Sequence, residues 1–240
     1  MFGAYQAGCW RALAKSGWCP DVIIGASAGA LNACAIAGGV PPDELASAWL
    51  DPAFASLARV RFPRRPWRGV FDPEPLERRI RELWRAWPPR LPLGVVAVEL
   101  PLLRPALFRD AEITWRHLAA SCAVLFCYPQ VRIGNRLYTD GGILNALPLW
   151  AAPRMGAERA IAVNVLAQLN PALVGAGIRT FRRFAPRAPG AGLPTTLITP
   201  AQALGSMRDA MFWDVRAAAR WLAQGEADAS RAIAAGKITP

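Results

Sequence analysis

Histidine is almost absent from this chain: His117 is the only one in 240 residues. A single imidazole rules out histidine-cluster metal sites and leaves a serine or cysteine nucleophile with only one histidine base to draw on. Lysine is nearly as scarce, confined to Lys15 and Lys237, so the formal charge of +11 is carried by arginine. The arginines are scattered instead of gathered in one tract, and no zinc-finger spacing or RNA-binding signature accompanies them. No nucleic-acid partner is therefore expected, and the basic charge reads either as plain composition or as attraction for anionic lipid headgroups. Paired cysteines are missing too. Cys9, Cys19, Cys34, Cys122 and Cys127 are odd in number and form no CxxC, which argues against a disulfide framework and for a reducing, cytoplasmic setting. No metal and no cofactor are expected. The opening Met1-Phe2-Gly3-Ala4 lacks the basic segment and apolar core of a signal peptide. Val22 to Pro42 carries no charge, but Gly25, Gly29, Gly38 and Gly39 punctuate it, so it reads as a buried strand and helix instead of a membrane span.

What is abundant is apolar: 53% of residues are hydrophobic and 19% charged, enough to bury a full core in one domain spanning residues 1–240. Helical spacing runs from Gly3 to Ser16, and Asp21 to Ile24 makes a short buried strand. A second helix follows from Ser27 to Ala37. Further helices are expected over Glu74–Trp87, Ile113–Ser121, Leu147–Met155 and Gln202–Gln224. Strands are expected at Gly94–Val98, Val131–Ile133, Arg136–Tyr138, Ala160–Val165 and Thr196–Ile198. The alternation predicts a three-layer α/β/α fold with a mostly parallel central sheet. Asn170 to Pro194, rich in Gly, Pro and Arg, reads as a mobile excursion.

The chemistry concentrates at Gly25-Ala26-Ser27-Ala28-Gly29, a GxSxG between a strand and a helix. Such an elbow pushes the serine hydroxyl out of a strained turn, and glycines two positions away let backbone approach closely. The helix beginning after Ser27 aims its first amides, Ala28 foremost, at a developing oxyanion. Seven serines and 20 glycines give roughly 0.05 chance matches to this pattern, which disfavours a plain glycine-rich turn.

Serine needs a base. His117 sits in a helical stretch with no turn signal, and the order Ser, His, Asp is not that of the α/β-hydrolases, so it reads as a helix histidine. Asp140 is the better candidate, provided a dry pocket raises its basicity. It closes a strand, and Gly141-Gly142 behind it are expected to turn the backbone and expose the carboxylate.

Gly25-Ala26-Ser27-Ala28-Gly29 together with Tyr138-Thr139-Asp140-Gly141-Gly142 resembles the paired GxSxG and DGG/DGA signatures of the patatin-like phospholipases. Gly3 to Gly8, Ala119 to Pro129, Leu147-Pro148-Leu149 and Ala160 to Val165 agree with the same family, so the resemblance covers most of residues 3–165. It implies a metal-independent acyl-ester hydrolase, of phospholipase A or lysophospholipase type, that uses a Ser27–Asp140 dyad through an acyl-enzyme. The partners it implies are a phospholipid or other acyl ester and a peripheral anionic membrane surface. Acyl transfer by the same nucleophile and lipid binding without catalysis are the alternatives.

One departure bears on activity. Patatin-like proteins place an apolar strand and a GGGxxG or GGGxRG loop before the first helix, whereas here only Met1-Phe2-Gly3 fits the last three positions of that loop. The expectation is that Met1 is an internal methionine, that upstream codons supply the first strand and the glycines, and that the chain as written is feeble or inactive as an esterase. One oxyanion donor is commonly worth ~3 kcal/mol. For the acyl chain the candidates lie between Leu100 and Tyr128: Leu102, Leu103, Leu107, Phe108, Trp115, Leu125 and Phe126. For membrane docking they are Trp67, Trp84 and Trp87 beside Arg64, Arg65 and Arg68; the alternatives are ordinary core for the first set and a solvated basic loop for the second.

Overall fold

A computed structural model of the chain describes residues 1–61, 69–143, 147–167 and 192–238. In chain order the elements are α1 (Gly3–Lys15), β1 (Ile23–Ala26), α2 (Ala28–Gly38), α3 (Pro42–Ala48), α4 (Glu74–Ala86), β2 (Leu93–Leu100), β3 (Arg104–Arg109), α5 (Trp115–Ser121), β4 (Val131–Ile133), β5 (Arg136–Asp140), β6 (Ala160–Val163), β7 (Thr195–Ile198), α6 (Met207–Met211) and α7 (Val215–Ala234). The fold is mixed α/β, with a central sheet flanked by helices.

Local chemistry explains most boundaries. Gly39 ends α2 in the left-handed region at φ 86°, where glycine carries no side-chain penalty. Pro42 opens α3 with Asp43 and Glu44 in its first turn, complementing the helix dipole. The single helix expected over 202–224 is instead two. Ser206 and Asp209 form a capping box that starts α6, and the Asp214 carboxylate accepts the Ala217 amide to start α7, which runs on to Ala234. The helix expected over 147–155 is reduced to two short 3-10 turns, the second beginning at Pro153, whose missing N–H cannot continue the first. The segment expected to be an excursion lies almost wholly outside the described residues.

The sheet is mixed, not mostly parallel. β1 pairs parallel with β2, but β3 and β5 pair antiparallel with β2 and β4 pairs antiparallel with β5. The reason is that Leu100 to Arg104 and Ile133 to Arg136 turn the chain directly back, too short for the helical crossover that a parallel pair needs. β6 and β7 form a separate parallel pair.

The β2 register determines what sits at the site. β3 covers Gly94 to Glu99 on one edge of β2. β1 pairs with Leu93 to Val96, and β5 with Ala97 to Leu100. Since a strand has two edges, β1 and β5 share the other one end to end, with Ala26 opposite Val96 and Asp140 opposite Ala97. Adjacent β2 residues are only about 3.3 Å apart along the strand, so the chain leaving β1 and the chain ending β5 meet. The outer edge of β1 borders a cavity of about 720 Å³ whose far wall includes Ile161, Ala162 and Val163 of β6.

One face of the sheet packs Val95 and Leu93 against Ala30, Ala33 and Cys34 of α2, Ile80 of α4 and Leu118 of α5. On the other face, Trp150 covers Ile24, Ala26, Val96 and Leu107. A second core joins α1 to α7. Their backbones touch through glycine: a side chain on Gly8 would meet the Leu222 carbonyl at 2.0 Å, and one on Gly225 the Tyr5 carbonyl at 2.1 Å. Asn32 ties this half to α2, donating to the Gly3 carbonyl at 2.9 Å and accepting from Trp49 Nε1 at 2.8 Å.

Candidate active site

Ser27 follows β1 directly and caps α2 with φ 55° and ψ −131°, a left-handed conformation costly for a residue with a side chain. Strain of this kind is worth about 1–3 kcal/mol and persists only where surroundings hold it. They do so here through Gly25, whose Cβ, were there one, would lie 2.2 Å from the Gly29 carbonyl oxygen and 2.6 Å from the Ala30 Cα. Gly29 is under less pressure, since an added Cβ meets the movable Gln6 amide at 3.3 Å. The two glycines of the GxSxG thus differ in necessity. Ala28 and Gly29 form the first turn of α2, whose amides have no partner within the helix.

Asp140 closes β5 and is 4% exposed, so the carboxylate is not presented to solvent as the Gly-Gly pair had suggested. Those glycines serve close approach instead. A side chain on Gly141 would strike the Val96 carbonyl at 2.2 Å and crowd the Ala26 Cβ at 3.2 Å, while the Gly142 amide donates to Asp140 Oδ1 at 2.7 Å. Asp140 Oδ2 is buried and makes no hydrogen bond of ordinary length and angle. The Ser27 side chain is nonetheless near enough to favour the anion. Burial pushes the Asp140 carboxyl up to about 6, against the pull of the Ser27 side chain and the Gly142 amide. In the resting enzyme such contacts are often long and shorten only with substrate bound.

Two anchors behind this pair escaped the sequence reading. Ser121, fully buried at the end of α5, donates its hydroxyl to the Val96 carbonyl at 2.7 Å and accepts the Ser27 amide at 2.9 Å. Two residues on, the Ala123 carbonyl accepts the Asp140 amide at 3.0 Å and the Thr139 hydroxyl at 2.7 Å. The only sequence signal for Ser121 is a small polar residue interrupting the apolar run from Leu118 to Phe126.

His117 lies elsewhere in role. Its Nδ1 faces the Thr114 amide and hydroxyl, each at 3.0 Å, closing the first turn of α5, and its ring packs edge-on against Phe108. Burial lowers its pKa, and no contact joins it to Ser27 or Asp140. The expected acyl-binding set does not form one pocket. Leu107 and Phe108, adjacent on β3, point to opposite faces of the sheet and pack into different clusters, as strand alternation requires. Leu102 and Phe126 are exposed and Leu103 is buried. The cavity along β1 touches Gly25, Ala26 and Gly29 but neither Ser27 nor Asp140. Of the expected docking residues, Arg64, Arg65, Trp67 and Arg68 lie outside the described residues, and Trp84 and Trp87 are half-buried against the cores.

Among the described residues no group of three or more His, Cys, Asp or Glu is placed to hold a metal ion, and no helix is long and apolar enough to cross a membrane. Compared with family models, residues 1–153 match the one described as patatin-like phospholipase. No curated protein matches the chain.

Proposed function

The chain belongs to the patatin-like phospholipase family, whose members are lipid acyl hydrolases, and on that premise we propose that it hydrolyses acyl esters through a Ser27 nucleophile and an Asp140 base. The observation that carries this reading is the buried Asp140 Oδ2, free of any hydrogen bond of ordinary geometry, on a carboxyl with pKa raised to about 6 and within the influence of the Ser27 side chain. A buried carboxylate left incompletely satisfied is costly unless it has work to do.

In the proposed reaction Asp140 takes the Ser27 proton as Oγ bonds to the ester carbonyl carbon. The tetrahedral anion collapses, the C–O bond to the alcohol breaks, and the alcohol leaves with the proton from Asp140. Water then gives a proton to the same carboxylate and attacks the acyl carbon; the second tetrahedral anion breaks its bond to Oγ, which takes the proton back from Asp140, so that the fatty acid is freed and Ser27 and Asp140 are restored. The first amides of α2, Ala28 among them, contribute partial positive charge toward the developing oxyanion.

A phospholipid or lysophospholipid at an interface is the substrate class that the surface supports. Val60, Val70, Phe126 and Phe212 are exposed and adjoin one another: Val70 N–H bonds to the Phe126 carbonyl at 3.1 Å, Val60 bridges to Phe71, and Phe71 meets Phe212 edge-on. Exposed apolar groups on a protein of net charge +11 suit a bilayer carrying anionic lipid. A fluorophosphonate probe tests the chemistry: adduct mass should map to Ser27 and vanish in Ser27→Ala. Release of fatty acid from a panel of phospholipids and simple esters then identifies the substrate. Labelling at another serine, or turnover that survives Ser27→Ala, defeats the reading.

A further inference from the structure

The Ser121 hydroxyl has one hydrogen, and the Val96 carbonyl receives it at 2.7 Å. Its lone pairs are then left to accept, and what faces them is the Ser27 N–H at 2.9 Å. The Ser121 hydroxyl and its bond to the Val96 carbonyl are buried, and in that low-dielectric setting each bond of the chain polarises the next. The Ser27 amide is thereby turned toward the end of α5. That bond locks the Ala26–Ser27 peptide plane and with it the left-handed φ of 55°. The same three-residue segment holds the carboxylate arm, because the Ala123 carbonyl accepts both the Asp140 amide and the Thr139 hydroxyl.

We propose that Ser121 is a positioning residue for Ser27, and that the end of α5, Ser121 to Ala123, is the common anchor setting the distance between nucleophile and base. The inference rests on the Ser27–Asp140 reading above. Ser121 touches neither substrate nor reacting atoms; it acts by denying the Ser27 peptide the rotation that would relax the strain and swing Oγ out of reach of Asp140. Misplacement of a reacting group by about 1 Å is enough to cost ~100-fold in rate.

The test compares Ser121→Ala, which removes the acceptor, with Ser121→Cys, which keeps an atom at the γ position but offers only a weak acceptor. Both are made in the full reading frame, with the codons upstream of Met1 included, and assayed on a soluble ester, with active sites counted by the fluorophosphonate. For Ser121→Ala, kcat per labelled site should fall roughly 10- to 100-fold while KM stays within about twofold, the signature of lost alignment as opposed to lost binding. Ser121→Cys should lie between it and the wild type, and it carries the test alone if Ser121→Ala does not fold. Wild-type kcat per site in the folded variants overturns the inference, whatever happens to their melting temperatures, because a merely structural serine changes the number of active sites and not the rate of each. Ser27→Ala and Asp140→Asn run alongside. If they are inert, the wild type is active and the Ser121 variants are unimpaired, only this inference fails. A wild type that neither labels at Ser27 nor turns over defeats both.

Discussion

Asp140 and Asp228 are both buried, 4% and 6% exposed, yet the protein treats them in opposite ways. Asp228, on α7, is fully occupied: Oδ2 accepts from the Tyr5 hydroxyl at 2.9 Å and the Ala201 amide at 3.1 Å, and Oδ1 pairs with Arg231. It locks α7 to α1 where Gly8 and Gly225 bring the backbones together. Asp140 has one oxygen held by Gly142 and the other buried without a hydrogen-bond partner, on a carboxyl that feels the Ser27 side chain. A carboxylate with both oxygens partnered is a structural tie, whereas one kept short of partners in a dry site is suited to take a proton.

The contrast breaks most sharply at Asp140→Asn. Ester hydrolysis should fall by roughly 10²- to 10⁴-fold, the usual scale for loss of an essential base, in steady-state rates on a soluble ester. Stability should move the other way. Burial raises the folded-state pKa to about 6 from an ordinary value near 3.9, so the protonated form favours folding. That contribution is fully present below about pH 4 and is lost as pH rises through about 6. On the order of 3 kcal/mol should therefore disappear between roughly pH 4 and pH 7 in the wild type and not in Asp140→Asn. Parallel urea-stability curves for the two proteins would contradict this.

Asp228→Ala is the mirror experiment. It strands the Tyr5 hydroxyl and the Ala201 amide and should cost about 3 kcal/mol in chemical denaturation, with kcat per labelled site unchanged. A catalytic defect there would erase the distinction between the two aspartates. Gly25→Ala, which drives a methyl into the Gly29 carbonyl, should cost roughly 2–3 kcal/mol, well above Gly29→Ala, where the Gln6 amide can yield. Thermal melts of the pair rank them.

Wild-type kcat/KM should drop about tenfold per pH unit below about 6, as Asp140 takes up its proton, in a profile from pH 4 to 8 on a soluble ester. An activity level that holds down to pH 4.5 would exclude Asp140 as the base. The smallest effect is expected at His117→Ala, about 1 kcal/mol from the lost helix start, with hydrolysis intact. A silent enzyme from that substitution would restore the histidine to the chemistry.

How much of this was legible beforehand depends on range. Both motifs could be read directly, since strand, sharp turn and helix are local preferences of Ile23 to Gly39, and the Asp-Gly-Gly sequence marks the end of β5. Helix 202–224 was misjudged because its apolar spacing spans the break at Phe212 to Asp214, where two caps outweigh periodicity. The sheet is mixed because β3 (Arg104–Arg109) adds a strand that the sequence pattern does not announce, and the tight turns of β2–β3 and β4–β5 force antiparallel pairing with no helix between. Ser121 gave almost no signal, since its importance lies in a bond across 94 residues of chain.

By itself the sequence determined the family, the residue types able to do the chemistry and the strain built into the elbow, because each depends on neighbours within a few positions. Only the tertiary structure decided that β1 and β5 share one edge of β2, that Asp140 is buried instead of displayed, and that Ser121 accepts the Ser27 amide. Those outcomes depend on which strands pair and how tightly they are covered, and pairing over long sequence separations is settled by packing the whole core, not by any one stretch of it.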